Sequence, residues 1–250
     1  EILREWEAGN QEVRKLWKMI LDWSELGYSQ TYKRIGSRHD QIWHESEYWQ
    51  KGKEIVEEGL EKGIFKKSEG AIVTDLEKLG LPNNVVVKSD GTTLYMTQDL
   101  AVTTLKKEKF PSDYYIWDIG AEQTLYFRQL FAVIESLGII EKEKLFHLSY
   151  ALINFKGGGK MATRKGDVIM ADEILDELRL CALDIIKSSN QELREKVSEE
   201  ELNEVAEKVA LAAIKYSMLK YGRETTMFFD PDESLAMQGN SGPYLQYTYA

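Results

Sequence analysis

One segment of the sequence, from Lys156 to Lys165, concentrates positive charge on a run of glycines. It reads KGGGKMATRK and contains four cations (Lys156, Lys160, Arg164 and Lys165) and no acid. Three consecutive glycines let backbone amides approach a ligand closely. Cations on such a loop suit a polyphosphate whose charge develops during reaction. The alternative is a solvent-exposed hairpin tip with ordinary lysines, and composition alone favours that alternative.

A second candidate is Gly120-Ala121-Glu122-Gln123, where a predicted strand ends and a predicted helix begins. In open α/β sheets, ligands bind beyond the carboxyl ends of the strands, and a helix N-terminus offers free N–H groups there. Glu122 has the chemistry to accept hydrogen bonds from ribose hydroxyls, and Gln123 both donates and accepts. Equally, Glu122 suits a helix start because an acid there complements the helix dipole.

Tyr95 and Asp99 are four residues apart. If a helix begins at 95, the two side chains share one of its faces. A carboxylate beside a phenol suits a guanidinium or ammonium group. The alternative, which the spacing alone favours, is a packed tyrosine and an acid at a helix start.

Other titratable residues give weaker signals. His39, Asp40, His44 and Glu45 suggest a metal site, but the two histidines are five apart rather than four, so we predict no metal there. His147 lies in a predicted strand and is interpreted as a core or strand histidine. Cys181 lies in an apolar helical stretch and is interpreted as a small buried hydrophobe.

The elements that must position these residues begin with helices. Apolar spacing predicts helices over 10–26 and 43–62, the second weakened by Gly52 and Gly59. Five of the six tryptophans lie in this first part of the chain, which predicts a compact helical unit packed by aromatic rings.

The middle of the chain is rich in predicted strands. Val85–Val87 and Thr92–Tyr95 flank Asp90-Gly91, which predicts a tight hairpin. An unbroken apolar strand at 114–117, a helix over 122–137 and a strand over 145–153 form a βαβ pattern, and therefore a parallel sheet.

From residue 171 onward the pattern is helical again. Ile174, Leu175 and Leu178 begin one predicted helix, and a second covers 205–219. The polar, acid-rich stretch 187–204 between them is interpreted as a solvated helical excursion or loop.

Composition limits the classes of protein that fit. The 250 residues suffice for one large domain or two small ones. Because 42 acidic residues outnumber 32 basic ones, binding of nucleic acid through bulk charge is not expected. A single cysteine excludes a disulfide framework and favours a reducing compartment. No apolar run is long enough to span a membrane. Both ends resemble cut ends, so we expect a fragment of a longer chain.

Several segments, in one order, resemble the class I arginyl-tRNA synthetases. They are SDGTTLYMTQDLA (89–101), DIGAEQTLYFRQLF (118–131), KMATRKGDVI (160–169) and FDPDESLAMQGNSGPYLQYTYA (229–250), while 15–36 resembles the family's insertion. The resemblance implies an α/β fold: part of a Rossmann-like nucleotide-binding fold with a helical insertion and a helical C-terminal segment. It divides the chain into the insertion with the start of a hairpin (1–88), the second half of the catalytic domain (89–170) and a helical segment leading to an anticodon-binding domain (171–250).

The resemblance also implies a reaction. Arginine and ATP give arginyl-adenylate and pyrophosphate, and the arginyl group then passes to the 3′ end of tRNA(Arg). The implied ligands are arginine, ATP with Mg²⁺, and tRNA(Arg), in the cytoplasm, with no membrane and no tightly bound protein metal. The family's His-Ile-Gly-His element does not occur in this sequence. We therefore expect the chain by itself to form no adenylate.

Residue roles follow from the same resemblance. Tyr95 and Asp99 are expected to read the guanidinium, and Gln123 to hold the amino end of the substrate. Gly120, Glu122, Met161 and Lys160 are expected to bind ATP, and Lys160 and Arg164 to be the catalytic cations. The loop departs from the family's Lys-Met-Ser-Lys-Ser pattern, since Ala162, Thr163 and Arg164 occupy its last three positions.

Two other readings remain at this point. One is a non-catalytic module of synthetase ancestry that binds RNA or a protein. The other is a class I synthetase for another amino acid, such as cysteine or glutamate. Tyr95 and Asp99 argue against the second, because an anionic or small apolar substrate has no use for a buried carboxylate.

Overall fold

The structure is a computed structural model, and it describes residues 2–155, 170–189 and 196–250. The chain divides into two compact units. Unit 1 comprises Glu1–Gly27 and Arg38–Ser149, and unit 2 comprises Tyr28–Ser37 and Tyr150–Ala250. The predicted Lys160, Met161 and Arg164, with the rest of their loop, lie outside the described residues.

Unit 1 begins with helices and a small sheet. Its first elements are α1 (Ile2–Glu7), α2 (Gln11–Ile35, which continues into unit 2), α3 (Glu45–Glu61), β1 (Phe65–Ser68), β2 (Ala71–Thr74) and β3 (Val85–Val87). The three strands form an antiparallel sheet in the order β1-β2-β3. The predicted second helix is therefore confirmed, and the predicted first helix is longer than its apolar spacing indicated.

The second part of unit 1 has the predicted βαβ order. It consists of α4 (Tyr95–Lys109), β4 (Tyr115–Gly120), a 3₁₀ turn (Ala121–Gln123), α5 (Thr124–Ser136) and β5 (Leu145–Tyr150). β4 and β5 pair with each other. One core joins this part to the small sheet, and among its most deeply buried members are Val56, Val86, Leu100, Leu130, Val133 and Ile134.

Unit 2 is mainly helical. Its elements are β6 (Ile153–Phe155), α6 (Ala171–Ser189), α7 (Glu199–Leu219), β7 (Met227–Phe229), α8 (Pro231–Ser234) and α9 (Gly242–Tyr249). β6 and β7 are parallel, with Ile153 opposite Met227. The predicted start of α6 is confirmed, since Leu175 and Leu178 lie in the core of this unit. α7 begins with a reciprocal capping box between Ser198 and Glu201 inside the predicted polar stretch.

Several expectations about the elements were wrong. Thr92–Tyr95 is no strand: only Thr93 bridges to Val87, and α4 begins at Tyr95. The predicted strand over 145–153 is two strands in two different sheets, β5 and β6. The run over 145–153 is divided because its two ends hydrogen-bond to different strands, so a local apolar run does not by itself set where a strand ends.

The burial of several elements also differs from what the sequence patterns predicted. The helical first part is not a compact packed unit, because α1 and α2 contain no buried residue. β4 alternates between half-buried and exposed residues up to a buried Gly120, so it is not the fully buried strand predicted. Cys181 is only half-buried. Within the described residues, no helix combines the length and the apolarity needed to cross a membrane.

Candidate active site

The start of α4 places Tyr95 and Asp99, and a tight turn fixes that start. Gly91 has φ +82°, a conformation that side chains other than glycine rarely adopt. The Asp90 carboxylate accepts hydrogen bonds from the backbone and the hydroxyl of Thr92, at 3.0 and 2.7 Å. Within the first turn of the helix, the buried Thr97 hydroxyl donates to the Val86 carbonyl at 2.7 Å and ties α4 to β3.

The two predicted guanidinium-reading residues have different surroundings. Tyr95 is 74% exposed, whereas Asp99 is half-buried. Asp99 Oδ2 accepts a hydrogen bond from the Tyr126 hydroxyl, which comes from α5. Asp99 is thus held by Tyr126, whereas the sequence spacing pairs it with Tyr95.

Two charged groups lie near this carboxylate, Glu45 on α3 and Lys106 on α4. Burial raises the pKa of Asp99, while the Tyr126 hydrogen bond and the positive charge of Lys106 lower it. Burial lowers the pKa of Lys106, and the Asp99 charge raises it. Partial desolvation, and then the charge of Asp99, raise the pKa of Glu45 in the first turn of α3. Asp99 and Lys106 are half-buried and Glu45 is exposed beside them, so two carboxylates stand against one ammonium group, which favours a cationic ligand.

Close packing of α3 against α4 brings Glu45 into this region. Gly52 is buried on α3, and a Cβ built there would overlap the backbone carbonyl of Thr97 on α4. Gly59, one helical repeat further on, lies against the ring of Phe65 in the same way. Gly52 is therefore what allows α3 and α4 to approach, and Gly59 leaves room for the Phe65 ring of β1.

The carboxyl end of β4 carries the second group of predicted residues. A Cβ built on Gly120 would stand 2.5 Å from Glu122 Oε2, so the Glu122 carboxylate folds back over the glycine. Glu122 and Gln123 are both solvent-exposed at the following 3₁₀ turn. Both residues lie where β4 ends, which is the position that the βαβ pattern predicted for them.

Aromatic packing holds α5 on the strands behind this turn. The His147 ring on β5 stacks on Phe127 with centroids 4.6 Å apart, and its Nε2 lies 2.9 Å from the Ile119 carbonyl oxygen. Trp117 packs against Phe127 and Phe131, at 6.3 and 5.0 Å. His147 is a strand histidine with a structural contact, as the sequence indicated.

Sequence reasoning missed three residues of the site: Glu45, Lys106 and Tyr126. Tyr126 and Asp99 are 27 residues apart, so no helical spacing relates them. Tyr126 lies inside the segment 118–131 that carries the family resemblance, and Glu45 is one of the residues that suggest a metal site. In the described part of the chain, no group of three or more His, Cys, Asp or Glu side chains is arranged to hold a metal, and His44 Nδ1 lies 3.3 Å from Glu25 Oε1.

Comparison with known proteins places these features in a family. Residues 1–231 match the family model described as tRNA synthetases class I (R), catalytic domain. The chain is 40% identical over 253 aligned residues to an arginine–tRNA ligase of Bacteroides thetaiotaomicron, covering 100% of this chain and 42% of the relative. It is 38% identical to the arginine–tRNA ligase of Treponema pallidum, covering 99% of this chain and 41% of that one. The chain thus spans about 42% of the length of the curated relatives that it matches.

Solved structures show the same fold. The arginyl-tRNA synthetase of Plasmodium falciparum aligns with a TM-score of 0.83 at 18% identity, over 100% of this chain and 41% of that one. The Thermus thermophilus enzyme aligns with a TM-score of 0.72 at 22% identity, over 98% of this chain and 47% of that one. At these identities the likeness concerns the fold alone.

Proposed function

Because this chain belongs to the class I tRNA synthetases of the arginine type, within their catalytic domain, we propose that it forms part of an arginine–tRNA ligase. The arginine carboxylate attacks the α-phosphorus of ATP, the bond to the β-phosphate breaks, and arginyl-adenylate and pyrophosphate form. A ribose hydroxyl at the 3′ end of tRNA(Arg) then attacks the arginyl carbonyl, and AMP leaves.

The single observation that best supports this proposal is the acidic environment of Asp99. Asp99 is half-buried, its charge raises the pKa of the exposed Glu45 nearby, and Lys106 supplies one positive charge for the two carboxylates. A guanidinium supplies the missing positive charge and the planar donors that carboxylates prefer. We assign Asp99 to the binding of the substrate guanidinium, with Glu45 beside it. Tyr95 lies on the open side of that site.

The remaining assignments concern ATP and the reactive end of arginine. Gln123 holds the amino group of arginine, while Gly120 and Glu122 contact adenosine and its ribose. Lys160, Met161 and Arg164 complete the ATP site, with Lys160 and Arg164 meeting the phosphates. Mg²⁺ accompanies ATP as the counterion of its phosphates. The single cysteine favours a reducing compartment, and we assign the reaction to the cytoplasm.

Substrate-dependent exchange of labelled pyrophosphate into ATP tests the proposal, in the complete protein that contains this chain and with tRNA(Arg) present. Arginine should support exchange, whereas glutamate should not. Citrulline, which has the shape of arginine without its charge, should also fail, because a neutral urea leaves the acidic site uncompensated. Exchange that is independent of arginine, or equal with glutamate, would reject the function; no exchange with any amino acid would favour a non-catalytic module.

A further inference from the structure

The hydrogen bond between Tyr126 and Asp99 uses only one of the two carboxylate oxygens. Oδ2 accepts from the Tyr126 hydroxyl. Within the described part of the chain, Tyr126 is the one side chain that donates a hydrogen bond to Asp99. Each carboxylate oxygen has two acceptor positions, so Oδ1 keeps both of its own for a ligand.

Tyr126 is itself held in place. Its ring packs edge-on against Phe127 with centroids 5.4 Å apart, and Tyr126 is half-buried. A phenol fixed in this way restricts the side-chain torsion of the aspartate that it bonds. The carboxylate therefore does not have to give up rotational freedom when a ligand arrives, which lowers the cost of binding.

The same hydroxyl favours the charged form of the aspartate. The groups that face Asp99 are Glu45 from α3, Lys106 from α4 and Tyr126 from α5. Burial raises the pKa of Asp99, and the Tyr126 hydrogen bond is the largest influence that lowers it again. Tyr126 thus opposes protonation of the group that a guanidinium needs in its ionised form.

We propose that Tyr126 is a positioning residue for arginine recognition: it binds Asp99 Oδ2, fixes the carboxylate and presents Oδ1 to the substrate guanidinium. This inference rests on the proposed function, because it concerns the orientation of the side chain assigned to arginine. Tyr126 acts through Asp99 and has no contact of its own with the reacting atoms in this proposal.

Tyr126→Phe, made in the complete protein, removes the hydroxyl and keeps the ring that packs on Phe127. The KM for arginine should rise about tenfold, since hydrogen bonds to charged groups are the stronger ones. The KM for ATP should change less than about twofold because the β4 end is untouched. The acid limb of the pH profile of kcat/KM for arginine should move to higher pH, because Asp99 then protonates more readily. Tyr114→Phe is the matched control, since Tyr114 is exposed and its ring packs on Phe146.

A double-variant cycle separates positioning from a structural role. Adding Tyr126→Phe to Asp99→Asn should cause no further loss in arginine use, because the affected group is already gone. A further loss in that background, equal effects on arginine and ATP, or an unmoved pH profile would overturn the inference. If Asp99→Asn impairs arginine use but Tyr126→Phe does not, only the inference fails. If Asp99→Asn itself leaves arginine use unchanged, the assignment of the guanidinium fails first.

Discussion

Gly52 on α3 lies directly against the backbone carbonyl of Thr97 on α4, with no room for even a methyl group between them. This contact sets the separation of the two helices that carry Glu45 and Asp99. Since a backbone carbonyl cannot rotate away as a side chain can, any larger residue at 52 must push the helices apart. A glycine that looks unfavourable for a helix is therefore required by the site.

Gly52→Ala should destabilise the protein by about 1–3 kcal/mol, the usual cost of overpacking, measured as the free energy of unfolding in urea. Gly27→Ala is the matched control: Gly27 is also helical, and nothing lies within 4 Å of a Cβ built there. That variant should gain about 0.5–1 kcal/mol, because alanine is the better helix former. Equal effects of the two variants would contradict the close approach of α3 and α4.

Asp99→Asn should impair arginine use far more than ATP use. Truncating one partner of a desolvated charged pair costs about 2–5 kcal/mol, and 1.4 kcal/mol is about a factor of ten. We expect kcat/KM for arginine to fall roughly 30-fold or more, with the KM for ATP within about threefold. Asp113→Asn, at an exposed acid in the loop before β4, is the control and should change neither. A similar loss with both substrates would contradict the guanidinium role of Asp99, which would then be only an acid near a helix start.

The contributions of Asp99 and Asp75 to stability should change with pH in opposite directions. Burial raises the folded-state pKa of Asp99, so the folded form binds its proton more tightly than the unfolded form does. Its contribution is most favourable below the unfolded pKa and is lost as pH rises through the folded pKa. Asp99→Asn should therefore melt at a higher temperature than the parent at pH 7, with the advantage shrinking as pH falls towards 4.

Asp75 provides the opposite case, because its hydrogen bond with Lys66 at 2.8 Å lowers its folded-state pKa. Its contribution is present above the unfolded pKa and is lost as pH falls through the folded pKa. Asp75→Asn should thus melt below the parent at pH 7, and the deficit should shrink in acid. Thermal melts across this pH range test both signs, and the same sign at both positions would reject the argument.

Arg34, near the end of α2, should be important for the stability of unit 2. Its guanidinium is 20% exposed and lies 3.5 Å from Asp172, 2.9 Å from Asp176 and 2.8 Å from Glu207. Glu207 and then Asp176 raise its pKa. Arg34→Met leaves the three acids without their shared cation. We expect a loss of about 1.5–3 kcal/mol in the free energy of unfolding, the range for hydrogen bonds between charged groups.

Lys18→Met is the control for that experiment. Lys18 also lies on α2 and pairs with Asp22, but both side chains are more than half exposed. Exposed pairs of this kind contribute little, so the variant should unfold like the parent. If Arg34→Met also matched the parent, or if 1 M salt left the difference between them unchanged, the network would not stabilise unit 2.

The sequence by itself determined several of the elements and their order. Apolar periodicity located α3 and the start of α6, and the Asp90-Gly91 pair located the turn before α4. The alternation of strand, glycine, helix and strand gave the βαβ order of β4, α5 and β5. These features depend on neighbouring residues, through torsion preferences and the burial of one helix or strand face, and such information is local.

The tertiary structure alone decided which side chains meet. Nothing near Asp99 in the sequence indicates that Tyr126 bonds to it, or that Glu45 and Lys106 share its surroundings. The apolar run over 145–153 became two strands because its two ends hydrogen-bond to different partners. Pairings between distant residues depend on how closely the helices pack and on which strands are adjacent. Local periodicity does not determine how closely helices pack or which strands are adjacent, because both depend on how all the elements pack together.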